Sequence, residues 1–170
     1  MSGMVTMEKS ARELVRELPD PEMPWVTLGD LGIVRSVECG ADKTVRVELT
    51  PTYLGCPAID AMRADVAKVL GEAGYRVESV DLRLDPPWTP ASISEEGRRK
   101  LAEAGIAPPA HIETGALRQR TGSTVPLSLG VRCPQCGAIE TTLLSRFGAS
   151  PCQELRRCSV CAEPFPAVRS

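Results

Sequence analysis

Val45-Arg46-Val47-Glu48-Leu49-Thr50-Pro51-Thr52-Tyr53-Leu54-Gly55-Cys56-Pro57 decides how the chain folds. Its first five residues alternate apolar and polar, the period of a strand with one face buried. Beyond it, Ile59, Met62, Val66, Val69, Leu70 and Ala73 recur at helical spacing along one face. A strand therefore gives way to a helix through a short loop, and the loop ends on a cysteine. Pro57 suits the first position of a helix, which is expected to run to about Ala73 and to stop at Gly74. Unpaired N–H groups at a helix start favour a thiolate, so Cys56 is expected to sit below the free-cysteine pKa of about 8.5.

Outward from this stretch the order is α-β-β-α-β-α. Met7, Ala11, Leu14, Val15 and Leu18 form the apolar face of a first helix that Pro19 ends. Gly32 to Glu38 and Thr44 to Thr50 read as strands joined by the turn Gly40-Ala41-Asp42-Lys43. Val80, Leu82 and Leu84 mark a third strand, ended by Pro86-Pro87, and a polar helix runs from Ser94 to about Ala104. The second and third strands are joined through a helix, so that pair is expected to be parallel. These elements predict an α/β (α+β) sandwich with a small mixed sheet over residues 1–106. Residues 107–128 lose apolar periodicity and gain Pro, Gly, Thr and Arg, which reads as a linker.

Residues 129–170 have a different logic. Cys133-Pro134-Gln135-Cys136 and Cys158-Ser159-Val160-Cys161 are two C-x-x-C knuckles. A two-residue spacer lets both thiolates of a knuckle reach one metal, and two knuckles complete an all-sulfur tetrahedral set. Thr141–Phe147 and Leu155–Arg157 read as ribbon strands between them. So short a segment buries too little apolar surface to fold alone, and structural zinc supplies the deficit. Iron suits the same four thiolates. A closed four-cysteine site leaves no open position for catalysis.

The seven cysteines, set in a chain whose first residues are charged and amphipathic and lack a signal-peptide core, point to a cytoplasmic protein using thiols for metal chemistry. No apolar run approaches the roughly 20 residues needed to span a bilayer. Net charge is −2, divided as −5 over residues 1–110 and +3 over residues 111–170. Arg146, Arg156 and Arg157 without interleaved aromatics do not make a nucleic-acid surface. Cys39 and Cys152 read as packed side chains. Asp20 and Glu22, in the proline-punctuated loop 20–25, are loop ligands, capping groups or solvated charge. Trp88 is core or a partner contact. Cys56 is either a small buried side chain or a thiol that handles metal. The one histidine, His111, falls in the linker, so no Cys–His dyad can be drawn and a catalytic site is not expected.

Asp20-Pro21-Glu22, Leu31-Gly32 and Thr52-x-x-x-Cys56-Pro57 resemble the domain of SufT-type iron–sulfur assembly factors. With the four-cysteine ribbon added, residues from about 8 to 165 resemble the PaaD family of the aerobic phenylacetate degradation system. The resemblance implies an accessory protein that matures the multicomponent phenylacetyl-CoA 1,2-epoxidase, aiding insertion of its iron–sulfur or di-iron centre. A non-catalytic binding subunit of the oxygenase complex is the alternative. It further implies Cys56 as the assembly-motif residue, holding a transient Fe–S cluster or iron. Thr52 would shape its loop, and Asp20 and Glu22 would form an acidic neighbour. Implied partners are the epoxidase subunits and their iron–sulfur flavin reductase, with a homodimer compatible. The chain departs from the family pattern at its end, where Phe165-Pro166-Ala167-Val168-Arg169-Ser170 stands in place of a late aromatic and Cys–His pair.

Overall fold

A computed structural model of the chain describes residues 2–53, 55–109 and 131–169, without the side chains of residues 2–7 and 9. His111 and most of the expected linker lie outside them. The chain forms two compact units, Met1–Lys100 and Leu101–Ser170.

The first unit is a two-layer α/β arrangement. Helix α1 (Ser2–Arg16) precedes an antiparallel pair, β1 (Val34–Cys39) and β2 (Thr44–Leu49); α2 (Ile59–Glu72) then leads to β3 (Arg76–Leu82). The sheet order is β1-β2-β3, and β3 runs parallel to β2 as the connecting helix requires. Alternation in β2 places Val45, Val47 and Leu49 in the core, with Ala11 and Val15 of α1 and Met62, Val66 and Leu70 of α2. Arg46 on the opposite side stays exposed.

Three readings need correction. The first helix ends at Arg16 rather than near residue 18. Helix α2 begins at Ile59, with Ala58 as its cap, so Pro57 precedes the helix instead of opening it. In β3 only Val80 reaches the core, whereas Leu82 and Leu84 are 42% and 50% exposed. As an outer strand, β3 has only part of its length over the helical layer, and its apolar alternation outruns that cover.

The segment Val26 to Ile33, which has no clean period, supplies Val26, Leu28, Leu31 and Ile33 to the core. Asp30 holds it in place. Its carboxylate accepts the Thr27 N–H at 3.1 Å, the Ser94 hydroxyl at 3.3 Å and the Lys100 ammonium at 2.7 Å. Burial alone raises the Asp30 pKa, but Lys100 and Thr27 outweigh it and hold the group below its ordinary value. Helix α3 (Glu95–Glu103) follows a 3-10 turn at Pro90–Ser92. Trp88, half-buried, donates its indole N–H to the Leu31 carbonyl at 2.8 Å and so packs as a structural side chain.

The second unit is a three-stranded antiparallel ribbon, β4 (Thr141–Ser145), β5 (Gln153–Cys158) and β6 (Pro164–Val168), in the order β4-β5-β6. Strand β6 was not expected, because Pro164 and Pro166 cannot donate to a ladder. It is tolerated as a terminal strand, and it buries Phe165, Ala167 and Val168. Its far side is covered by Ala107, which donates to the Pro166 carbonyl at 2.8 Å and accepts from the Val168 N–H at 3.0 Å. Ala107 shares a core cluster with Val131, Cys133, Cys158, Phe165 and Ala167. The stretch read as a linker thus starts with a residue locked into the ribbon.

Candidate functional site

The amino-terminal site is built by two loops. In the first, Asp20 N–H donates to the Val26 carbonyl at 2.9 Å, closing the proline-rich loop, and Asp20 Oδ1 accepts the N–H groups of Glu22 at 2.9 Å and Met23 at 2.8 Å. These bonds fix the loop, and Asp20 as a whole is 4% exposed. Burial raises the Asp20 pKa, and the two N–H donors offset it only in part. Asp20 is thus not solvated charge: it is buried and caps two N–H groups of its own loop, which starts no helix.

The second loop carries Thr52 and Cys56. Thr52 is half-buried. Gly55, at φ +87°, takes the chain through the left-handed region. Cys56 N–H then donates to the Tyr53 carbonyl at 3.2 Å, and the Cys56 carbonyl accepts from Ile59 at 3.3 Å, which begins α2. Its thiol is 9% exposed.

The expected low thiol pKa is overturned. Burial comes first and raises it, with the negative charges of Glu22 and Asp20 adding to the rise. N–H donors from Ala58 and Ile59 pull the other way and lose. The helix start does what it was expected to do, but dehydration and two carboxylates are stronger. Asp20 and Glu22 thus lie near enough for their charges to act on Cys56, with Thr52 on the same loop as the thiol, but among the described residues only the four ribbon cysteines gather as a metal-ligand group. Cys39 lies apart at the end of β1, buried, its Sγ 3.6 Å from the Gly40 carbonyl.

Sequence reading missed Thr50. It is 2% exposed, at the point where β2 passes into the Cys56 loop, and its Oγ1 has no hydrogen-bond partner among the described residues. A buried hydroxyl left so costs about 1–3 kcal/mol. The one available signal was a threonine ending an apolar alternation.

In the ribbon, the Sγ atoms of Cys133, Cys136, Cys158 and Cys161 all lie within 4.8 Å of one another. Cys133 and Cys161 are 3.8 Å apart, Cys136 and Cys158 3.5 Å. A tetrahedral ion with metal–sulfur bonds of about 2.3 Å has sulfur–sulfur edges of about 3.8 Å, so the four thiols fit zinc. Gly137 at φ +75° and Ala162 at φ +63° follow the second cysteine of each knuckle. N–H groups aim at sulfur, Val160 to Cys158 Sγ at 3.4 Å and Cys161 to the same atom at 3.5 Å. The Cys161 N–H leads in lowering Cys158 to about 7. Despite the Glu163 N–H, burial and the neighbouring thiols push Cys161 up to about 12. Cys152 is not in this group; it is buried, its Sγ 3.0 Å from the Ser150 hydroxyl.

No helix among the described residues is long and apolar enough to cross a membrane. Residues 8–82 match the iron–sulfur cluster assembly protein family, and residues 118–169 match the PaaD zinc beta ribbon domain. A protein of Escherichia coli K12 named as a subunit of 1,2-phenylacetyl-CoA epoxidase is 39% identical over 152 residues, covering 89% of this chain and 86% of that protein. An Fe–S protein maturation auxiliary factor of Porphyromonas gingivalis W83 is 37% identical over 95 residues, covering 55% of this chain and 90% of the factor. A crystal structure of a DUF59 domain from Bacillus anthracis superposes with a TM-score of 0.55 at 24% identity, covering 59% of this chain and 95% of that one, which shows a shared fold. An assembly domain in the amino-terminal half, a zinc ribbon after it and a relative matched along most of its length leave one conclusion: the chain belongs to the PaaD family of phenylacetyl-CoA epoxidase proteins.

Proposed function

We propose that the chain is a maturation factor for the phenylacetyl-CoA epoxidase system, aiding insertion of its iron–sulfur or di-iron centre in the cytoplasm and catalysing no turnover of its own. The observation that carries the reading is the setting of Cys56: one buried thiol under the negative charge of two carboxylates, in a chain whose four ribbon thiols form a set of their own. The charges that add to burial in keeping Cys56 protonated are those that attract a cation. When a ferrous ion or a cluster iron arrives as cargo, its charge reverses the balance and the thiol gives its proton to water as the sulfur binds. Asp20 and Glu22 supply negative charge near it. One thiolate holds iron weakly enough to release it, which transfer requires.

Cys133, Cys136, Cys158 and Cys161 are the structural zinc ligands in this reading. The ribbon is what the chain carries beyond the length of the Porphyromonas factor, and it accompanies the match to the epoxidase protein. It therefore selects the client, the oxygenase or its iron–sulfur flavin reductase.

Replacing Cys56 with Ser should leave zinc content and folding intact while epoxidase activity in cells drops. Full activity in that variant overturns the reading. The Escherichia coli relative's name as a subunit favours a second function, a binding subunit held in the oxygenase at fixed stoichiometry. Co-purification independent of the oxygenase's metal content would favour it.

A further inference from the structure

We propose that β4 and the turn after it form the docking surface of the ribbon, and that it engages an acidic, apolar-centred surface on the epoxidase oxygenase. The inference rests on the maturation reading for the identity of the client, takes the oxygenase because the Escherichia coli relative is named as an epoxidase subunit, and supplies the surface it uses.

Leu143, Leu144 and Phe147 are 43%, 51% and 72% exposed, three large apolar side chains within five residues. Single exposed apolar residues are ordinary, but a cluster on a small unit marks an interaction site. Their placement is built in. Strand β4 is the outer strand of the ribbon, and its pairing with β5 slips between Leu143 and Ser145. The bulge leaves Leu144 without a cross-strand partner and re-aims the side chains around it. Beyond it the Ser145 hydroxyl donates to the Phe147 carbonyl at 2.9 Å and accepts the Phe147 N–H at 3.1 Å. The ring is thus presented on a fixed turn, so little order remains to be created on binding.

Within the turn that carries this cluster the charge is basic. No acidic residue occurs between Glu140 and Glu154, and Glu154 is engaged by Arg156 at 2.6 Å. The Arg169 guanidinium lies 5.9 Å from the centre of the Phe147 ring and is itself anchored to the Pro151 carbonyl at 3.0 Å. Arg146, next to Phe147, is exposed. Arginine beside an exposed aromatic is the composition of an interface anchor. Its complement carries carboxylates around an apolar centre.

The test is binding of the full-length chain to purified epoxidase oxygenase by calorimetry at two salt concentrations. Phe147→Asp and Leu144→Asp should each weaken binding at least about 30-fold. Arg146→Glu should weaken it about 5- to 10-fold and flatten the salt dependence. Zinc content checks the ribbon fold, and Phe147→Ala serves as the milder variant. Wild-type affinity in both Phe147→Ala and Arg146→Glu overturns the proposal. So does binding to the reductase alone, or self-association that Phe147→Asp abolishes. Cys56→Ser separates the two ideas. If it keeps full epoxidase activity while Phe147→Asp loses binding, docking stands and maturation fails. If it abolishes activity while the wild-type chain binds no oxygenase, maturation stands and docking fails.

Discussion

The two thiol sites of this chain work on opposite electrostatics. At Cys56 one thiol is buried with Asp20 and Glu22 near it, and its proton is held more firmly than in a free cysteine. In the ribbon N–H groups of Cys161 and Val160 aim at Cys158 and lower it to about 7. A ribbon this small is expected to draw folding free energy from a bound cation. The amino-terminal loop is held by its own hydrogen bonds. A set of four thiols and a single buried thiol thus sit in different surroundings, although both are sulfur.

The largest break between the sites comes from removing one thiol from each. Cys158→Ser should abolish zinc binding and melt the ribbon, because structural zinc supplies on the order of 10 kcal/mol to a unit of this kind. Cys56→Ser should leave zinc stoichiometry and the thermal transition unchanged. Metal analysis with circular dichroism reads both. If the two variants lost zinc alike, the contrast would be gone.

Next in size is the loop beneath Cys56. Asp20→Ala removes the acceptor for two N–H groups and should cost about 1–2 kcal/mol in denaturant unfolding. Asp20→Asn keeps an acceptor and sheds the buried charge, so it should hold or gain stability. The pH dependence follows from the raised Asp20 pKa. In the window between its unfolded and folded values the native state binds more protons, so this group's cost appears as pH rises through that window and is relieved on acidification. In Asp20→Asn that component should vanish from a stability–pH profile.

A smaller change sharpens the picture at the thiol. Glu22→Gln, and to a lesser degree Asp20→Asn, should lower the Cys56 pKa and speed its alkylation near neutral pH by less than about tenfold. Unchanged rates would mean that dehydration alone holds the proton. Smallest is Ala162→Gly in the second knuckle. Ala162 adopts a left-handed conformation that costs a non-glycine residue about 1–2 kcal/mol, so the substitution should raise ribbon stability by about 1 kcal/mol. Thermal unfolding of the zinc-loaded protein measures it.

Much of this was legible in the residues. Alternation in Val45–Leu49 and helical spacing from Ile59 gave the parallel β2–β3 crossover, because each pattern has one period and one buried side. The knuckles announced themselves, since four cysteines at that spacing serve few purposes besides metal. Electrostatics at Cys56 was not legible. The helix-start effect can be read from neighbours in sequence, but the opposing burial and the charges of Asp20 and Glu22 come from a loop more than thirty residues away. Strand β6 was hidden for a related reason. Its prolines argue against a strand locally, and only the position at the end of the sheet permits them. Leu82 and Leu84 carried a strand pattern whose burial the fold did not supply.

The bridge between Ala107 and Ala167 bears on how this ribbon can be handled as a piece of polypeptide. The last strand is flanked by residues that come well before the first knuckle, and Ala107 is fully buried there. A clone beginning at the knuckles would therefore be short of one wall of its own core, whatever metal were added. The ribbon is not a portable tail that can be grafted onto another carrier at residue 129. Its transplantable boundary lies upstream, near Leu101, and a recombination or fusion point placed there keeps the unit whole.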